Sequence, residues 1–224
     1  MMPRISVILP ARGRVEALHR MLESLHVTAA DVGQVEVVVR ADNDDDAMVT
    51  YLRSRRLTFI VGPHLDGYIT LATFINQAAR LSRADLVLVV NDDAVFETQG
   101  WDQALIDVAA QHPDSIFDLG VDTVMNNENF VFPCTSRRVI DAIGVHDERL
   151  IYNDIWLRDV MRGFDRAIRV PQVTIRHDWK GMTHEQVQAL DVVRDPVYAR
   201  LYDRCVREAQ GRVRTMLLAG VEAV

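Results

Sequence analysis

The apolar positions of the chain follow two rhythms in alternation. Continuous runs of largely branched apolar residues, Ile5 to Leu9, Val35 to Val39, Leu57 to Val61 and Leu86 to Val90, have the form of strands buried on both faces of a parallel sheet. Between them apolar residues recur at helical spacing: Val15, Leu18, Met21, Leu22 and Leu25, then Ala47 to Leu52, then Leu71 to Leu81. Proline and glycine punctuate the pattern, so Pro10 is expected to end the first strand and Gly62-Pro63 the third. Strands alternating with helices predict an α/β fold with right-handed crossovers.

From about Trp101 the rhythm changes. A helix is expected there, followed by strand-like pieces around Phe117 to Val124 and Phe130 to Phe132, a helix over Ile155 to Arg162 and a strand over Ile168 to Ile175. The stretch from Thr183 to Gly220 reads as helical with a break at Pro196. No internal repeat, low-complexity tract or Gly/Ser linker divides the chain. The expected organisation is a core over residues 1–180 and a helical extension over 181–224.

Charge and composition narrow the function. With 224 residues and 49% hydrophobic content the chain has enough apolar material for a sizeable core. A formal charge of −7 argues against a general binder of nucleic acid or anionic membrane, which needs positive surface to displace counterions. Cys134 and Cys205 stand far apart, without metal-type spacing, so neither a zinc site nor a disulfide framework is expected. No apolar stretch approaches the roughly 20 residues of a membrane span. A cytoplasmic location is the expectation.

Three polar clusters end predicted strands, where ligands bind in open parallel sheets. They are Pro10-Ala11-Arg12-Gly13-Arg14, the acidic run Asp42-Asn43-Asp44-Asp45-Asp46, and Asn91-Asp92-Asp93. Any one alone is ordinarily a solvated turn or helix cap; their joint placement is the informative feature. The third follows the most apolar strand, which would present its carboxylates at a fixed place. A hard divalent cation, Mn2+ or Mg2+, suits them, because it takes one or two carboxylates plus phosphate oxygens. Asp93 is the expected direct ligand, whereas Asn91 offers only a neutral carbonyl oxygen, suited to a ribose or a metal-bound water.

Other phosphate sites fail on their letters. Neither a P-loop nor a three-glycine dinucleotide motif is present, so phosphate or base contact in the first loop would rest on the guanidinium groups of Arg12 and Arg14. Two solvent-facing arginines are the plainer alternative. Farther along, Asp154 begins an amphipathic segment and is either a helix cap or a carboxylate placed to take a proton from an acceptor hydroxyl. His177, at the end of an apolar strand, is either a structural residue or a neutral imidazole ligand.

The order of these pieces resembles family 2 of the GT-A glycosyltransferases across roughly Ile5 to Trp179. The likeness lies in the opening Ile-Ser-Val-Ile-Leu-Pro, the Asp42 cluster, Asn76 in the next helix and Asn91-Asp92-Asp93 as a DxD-like motif. It continues through Gly144 to Leu150, Asn153-Asp154, Arg158, Gly163, Pro171 and His177. The resemblance implies a nucleotide-diphospho-sugar transferase fold with a mostly parallel central sheet, and a nucleotide-sugar donor, UDP-linked by preference. It implies Asp42 on the uracil or ribose, Asp93 and His177 on the metal, and Asp154 as the base of an inverting displacement. Pro10, Arg12, Arg14, Asp44, Asn76, Asn91 and Asp92 complete the expected donor site. Two departures stand out: Asn91 where the family usually has Asp, and Asn153 where it usually has Glu.

The stretch 183–224 matches no part of that core. It carries Arg194, Arg200, Arg204, Arg207, Arg212 and Arg214, diluted by Asp195, Asp203 and Glu208. A solvated helix face explains them; the sharper reading is an acceptor-docking surface for a glycan, a lipid-linked glycan or DNA with a hydroxylated base. Two rival functions remain open at this point, a sugar nucleotidyltransferase, which would normally show a glycine-rich first loop, and a non-catalytic nucleotide-sugar or metal-binding module.

Overall fold

The computed structural model describes residues 2, 4–65, 69–122, 131–151, 153–178 and 184–221; for 121, 122, 154, 184–188 and 221 the backbone alone is described. The first half is built as its pattern predicts. Strands β1 (Ile5–Ala11), β2 (Val35–Asp42), β3 (Thr58–Gly62) and β4 (Leu86–Val89) are joined by helices α1 (Val15–Thr28), α2 (Asp46–Arg55) and α3 (Leu71–Leu81). All pair in parallel, with Ile5 opposite both Val35 and Leu86. The predicted stripe Leu18, Met21, Leu22 and Leu25 of α1 is buried in the main core.

Two boundaries move, and both movements matter for the site. β1 runs through Pro10 to Ala11, and β2 runs on to Asp42. The Val90 N–H donates to the Ile8 carbonyl, and β4 pairs with β1 no farther than Ile8. Pro10, two residues on, therefore faces a side that β4 has left, and its missing N–H costs the ladder nothing.

The second half departs further. Its elements are β5 (Ala94–Phe96), α4 (Trp101–Gln111), β6 (Ile116–Asp122), β7 (Cys134–Ser136), α5 (Arg137–Ile143), α6 (Asn153–Arg162), β8 (Ala167–His177), α7 (His184–Val193) and α8 (Pro196–Val221). The sheet order is β3-β2-β1-β4-β7-β6-β8-β5. β7 is antiparallel to both β4 and β6 and β5 is antiparallel to β8, while β6 pairs with β8 in parallel, so the sheet is parallel from β3 to β4, as expected, and mixed beyond it. No strand forms at residues 131–132; the pairing segment is β7, whose Cys-Thr-Ser sequence lacks an apolar run although Cys134 and Thr135 are fully buried. Phe130 and Val124 lie outside the described residues.

One irregularity positions the end of β8. Leu119 pairs with Val170, but Gly120 pairs with Thr174, so residues 171–173 are looped out of the ladder. A Cβ on Gly120 would stand 2.8 Å from the Pro171 carbonyl oxygen, which is why glycine is required there.

The helical extension is not an appendage. Tyr198, Cys205, Ala209 and Val213 form one buried stripe of α8, packed with Val139, Ile143, Trp156, Leu157 and Val160 of α5 and α6 in a second core. Each large side chain buried there is worth about 1.5–3 kcal/mol. Asp195 caps α8 by accepting from the Val197 N–H at 2.7 Å, with Pro196 at the first helical position. Arg200, Arg204, Arg207 and Arg214 are exposed on the helix's other side.

Candidate active site

The chain lays β2 and β3 to one side of β1 and β4 to the other, so the order reverses at β1, and the carboxyl ends of β1, β2 and β4 open on one crevice. Asp42 is the last residue of β2 and is 3% exposed. Two arginines hold it. Arg12 Nη1 donates to Oδ2 at 2.9 Å, and Arg40, itself 2% exposed, donates to Oδ1. Arg40 lies against the Phe74 ring at 3.8 Å, donates to the Pro63 carbonyl, and reaches Gln77 Oε1 at 3.4 Å. Burial and the neighbouring Arg12 pull this guanidinium below its ordinary pKa. Arg12 also grips exposed Asp44, with Nη2 to Oδ2 at 3.0 Å, and lowers the Asp44 pKa through that bond.

Asp42, Asp44 and His64 have ligand atoms within 4.8 Å of one another, the spacing of a metal group. Arg12 and Arg40 already sit on those carboxylates, so their charge is balanced without an ion.

At the end of β4 the strand delivers Asn91, Asp92 and Asp93. Asp92 is 3% exposed and both its oxygens accept from Arg14, Nε at 3.0 Å to Oδ2 and Nη2 to Oδ1. Burial nonetheless raises its carboxyl to about 6, with the Arg14 charge opposing. Asp93 Oδ2 accepts from Arg14 Nη1 at 3.0 Å. Burial would raise Asp93 too, but His177 and Arg14 outweigh it and hold the carboxyl below its ordinary value.

The pairing of β5 with β8 sets His177 opposite Ala94, and the Asp178 N–H donates to the Asp93 carbonyl at 3.1 Å. The His177 ring nitrogen Nε2 lies 3.2 Å from Asp93 Oδ1 and 3.2 Å from Asn91 Nδ2. Among the described residues Asp93 Oδ1 is buried without a hydrogen-bond partner. A divalent cation fits this set, one hard oxygen without a donor beside one imidazole nitrogen.

The third part of the site is the segment 144–154. Gly144 takes φ +82°, and His146, Asp147 and Asn153 are buried. Asn76 of α3 clasps the segment: its Nδ2 donates to the His146 carbonyl at 2.9 Å and to Glu148 Oε1 at 3.0 Å, and its Oδ1 accepts from the His146 N–H at 3.2 Å. In this structure the Asn76 amide, expected as a donor contact, positions the 144–148 loop instead of standing free in the crevice. Asn153 accepts from the Asp147 N–H at 2.7 Å and donates to the Leu150 carbonyl at 2.8 Å. The asparagine at this departure thus closes the turn before α6, and the backbone of Asp154 follows in the first turn of that helix. The Asp154 side chain is outside the described residues.

α8 braces the same segment. The Tyr198 hydroxyl accepts from the Ile151 N–H at 2.9 Å and donates to the Ile151 carbonyl. Arg149 forks Asp147, at 2.9 Å and 2.6 Å, and reaches Glu208 of α8 at 2.8 Å. Burial drives the His146 imidazole down to about 3, so it is neutral.

The predicted residues therefore sort into two groups. Arg12, Asp42 and Asp44 gather at the β2 end; Arg14, Asn91, Asp92, Asp93 and His177 gather at the β4 end; and Pro10 lies in β1 between them. Both expected phosphate-binding arginines are engaged by carboxylates, so the acidic strand ends are held together by arginine. Sequence reasoning missed Arg40, His64 and His146. A lone arginine inside the apolar run of β2 was the available signal for Arg40; His146 lay within the Gly144 to Leu150 stretch without being singled out, and His64 gave no signal.

Known structures share this architecture. A mannosyltransferase, PcManGT from Pyrobaculum calidifontis, solved with GDP-Man and Mn2+, superposes with a TM-score of 0.68 at 16% identity, covering 100% of this chain and 76% of that one. TarS 1-349 of S. aureus, solved with UDP-GlcNAc, gives 0.66 at 13% identity, over 93% of this chain and 72% of that one. Against the longer TarS chain the match covers 43% of its length, with a TM-score of 0.61. No curated protein matches in sequence. At these identities the likeness establishes the GT-A fold. The sequence profile described as Glycosyl transferase family 2 spans residues 6–169, well over half the chain, and the protein is a member of that family and a glycosyltransferase.

Proposed function

We propose that the protein transfers a sugar from a nucleoside-diphosphate donor, UDP-linked by preference, to an acceptor hydroxyl, with inversion at the sugar carbon. The observation that carries this reading is the joining of two acidic strand ends through one loop: Arg12 binds Asp42 at the end of β2, and Arg14 binds Asp93, just beyond β4, beside His177 at the end of β8. Asp42 would accept a hydrogen bond from the base or ribose of the donor, its carboxylate already held by Arg40. The similar structures were solved with GDP-Man and UDP-GlcNAc, and a carboxylate can accept from a ring N–H of either guanine or uracil. Asp93 and His177 would hold Mn2+ or Mg2+, which when bound neutralises charge on the diphosphate leaving group.

Asp154, in the first turn of α6, takes the acceptor proton. The acceptor oxygen forms its bond to the sugar carbon as the bond to the phosphate oxygen breaks, and the electron pair leaves with the nucleoside diphosphate. Direct displacement of this kind inverts the centre. The acceptor, a glycan, a lipid-linked glycan or DNA with a hydroxylated base, would approach from the side of α6. No helix among the described residues is long and apolar enough to cross a membrane.

The test combines binding and turnover. Thermal shifts with UDP, GDP and their sugars, each with Mn2+ or Mg2+, should identify the donor. Asp154→Asn should then lower transfer by about 10²- to 10⁴-fold with nucleotide affinity unchanged. Wild-type turnover in that variant removes Asp154 from the mechanism, and a protein that no nucleotide stabilises removes the donor site.

A further inference from the structure

Arg14 makes three charged contacts in the crevice, as many as Arg12, and it makes them to the groups that a cation would need. Its guanidinium takes both oxygens of Asp92 and Oδ2 of Asp93. The two partners differ in freedom. The carboxylate side chains are 4% and 12% exposed and launched from the end of a core strand, whereas the Arg14 side chain is 54% exposed. Its backbone is anchored separately, since the adjacent Gly13 N–H donates to Asp45 Oδ2 at 2.6 Å. The carboxylates are fixed and the guanidinium is on a long, rotatable arm, so a displacement moves the arginine.

We propose that Arg14 is an exchangeable internal counter-ion: it occupies Asp92 and Asp93 in the free protein, leaves when a divalent cation takes Asp93 and His177, and then binds the diphosphate of the donor. This rests on the donor-site reading above and adds the order of events to it. A guanidinium and a divalent cation on opposite oxygens of one carboxylate repel each other strongly in a buried setting. A planar guanidinium released beside the crevice is matched in geometry and charge to phosphate oxygens. Metal alone must evict Arg14 with nothing to receive it. With the nucleotide present the evicted group gains a partner. The two ligands therefore bind with positive coupling, and the coupling is reciprocal.

The experiment is a Mn2+ titration followed by electron paramagnetic resonance on the whole chain, comparing wild type with Arg14→Gln and Arg14→Lys. It is run without nucleotide, with UDP and with GDP. Arg14 makes no side-chain capping bond to α1, so the substitutions remove no helix cap. Without nucleotide, Arg14→Gln should bind Mn2+ about tenfold more tightly than wild type, with Arg14→Lys between them. With UDP or GDP, wild type should gain Mn2+ affinity and Arg14→Gln should gain little. Equal or weaker Mn2+ binding by Arg14→Gln without nucleotide, including no binding by either protein, overturns the proposal. If neither nucleotide binds, the donor-site reading falls while the nucleotide-free comparison still decides the role of Arg14.

Discussion

The two halves of the crevice are held together by opposite means. On the proposed donor side, at the ends of β1, β2 and β4, three arginines meet four aspartates, and nearly every contact joins full charges. Around residues 144–154 most contacts are made to backbone: Asn76 to His146, Asn153 to Asp147 and Leu150, Tyr198 to Ile151. The sheet already fixes the strand ends, so the donor side can carry exchangeable charge without losing its shape. A loop has no such frame and must be tied through its peptide groups by side chains from elsewhere. Rigidity on one side is inherited from the sheet and on the other is borrowed from α3 and α8.

The largest effect that would test this contrast is at Arg40. Arg40→Leu leaves the Asp42 carboxylate buried with only Arg12 to balance it, and should cost about 3 kcal/mol of stability in urea unfolding, with weaker nucleotide binding. Wild-type stability in that variant would mean that Arg12 alone suffices. On the other side, His146 sets an acid limit. The unfolded chain takes up a proton near its ordinary value of about 6.5, the folded chain only near about 3. This group's contribution to stability is therefore complete above that window and is lost progressively as pH falls through it. His146→Asn should flatten the slope of unfolding free energy against pH, and an unchanged slope would assign the acid sensitivity elsewhere. The smallest effect is expected for Tyr198→Phe, about 1–2 kcal/mol, since the Ile151 peptide group loses both bonds to the hydroxyl. Turnover should fall while nucleotide affinity stays the same; a change in nucleotide affinity would erase the division between the halves.

The contrast also explains what could be read from the letters. The donor side is written locally, because each cluster directly follows an apolar run that any parallel strand requires, and Asp42, Asp92 and Asp93 could be found by position alone. The brace on the other side joins residues 47 and 59 positions apart, Ile151 to Tyr198 and Arg149 to Glu208, and no local pattern encodes such a pair. β7 escaped for a related reason: Cys134 and Thr135 are buried by their neighbours in the sheet, not by a hydrophobic run of their own. Asn76 could be picked out by position, but its bonds to the His146 peptide groups could not, since an amide in a helix beside a crevice can face a ligand or a loop. The charges of Arg12 and Arg14 were noticed, whereas their engagement by carboxylates needed three dimensions.

The looped-out residues 171–173 carry a consequence for how this site can vary. They lie between the stretch of β8 that pairs with Leu119 and the stretch that ends at His177, so they work as a spacer that sets the phase of one against the other. A single residue gained or lost there would turn the imidazole to the opposite face of the sheet, because side chains alternate along a strand. A gain or loss of two would keep the face but slide the histidine past Asp93 by about two strand rises, roughly 7 Å. Length in this small detour is thereby coupled to where His177 stands at its far end.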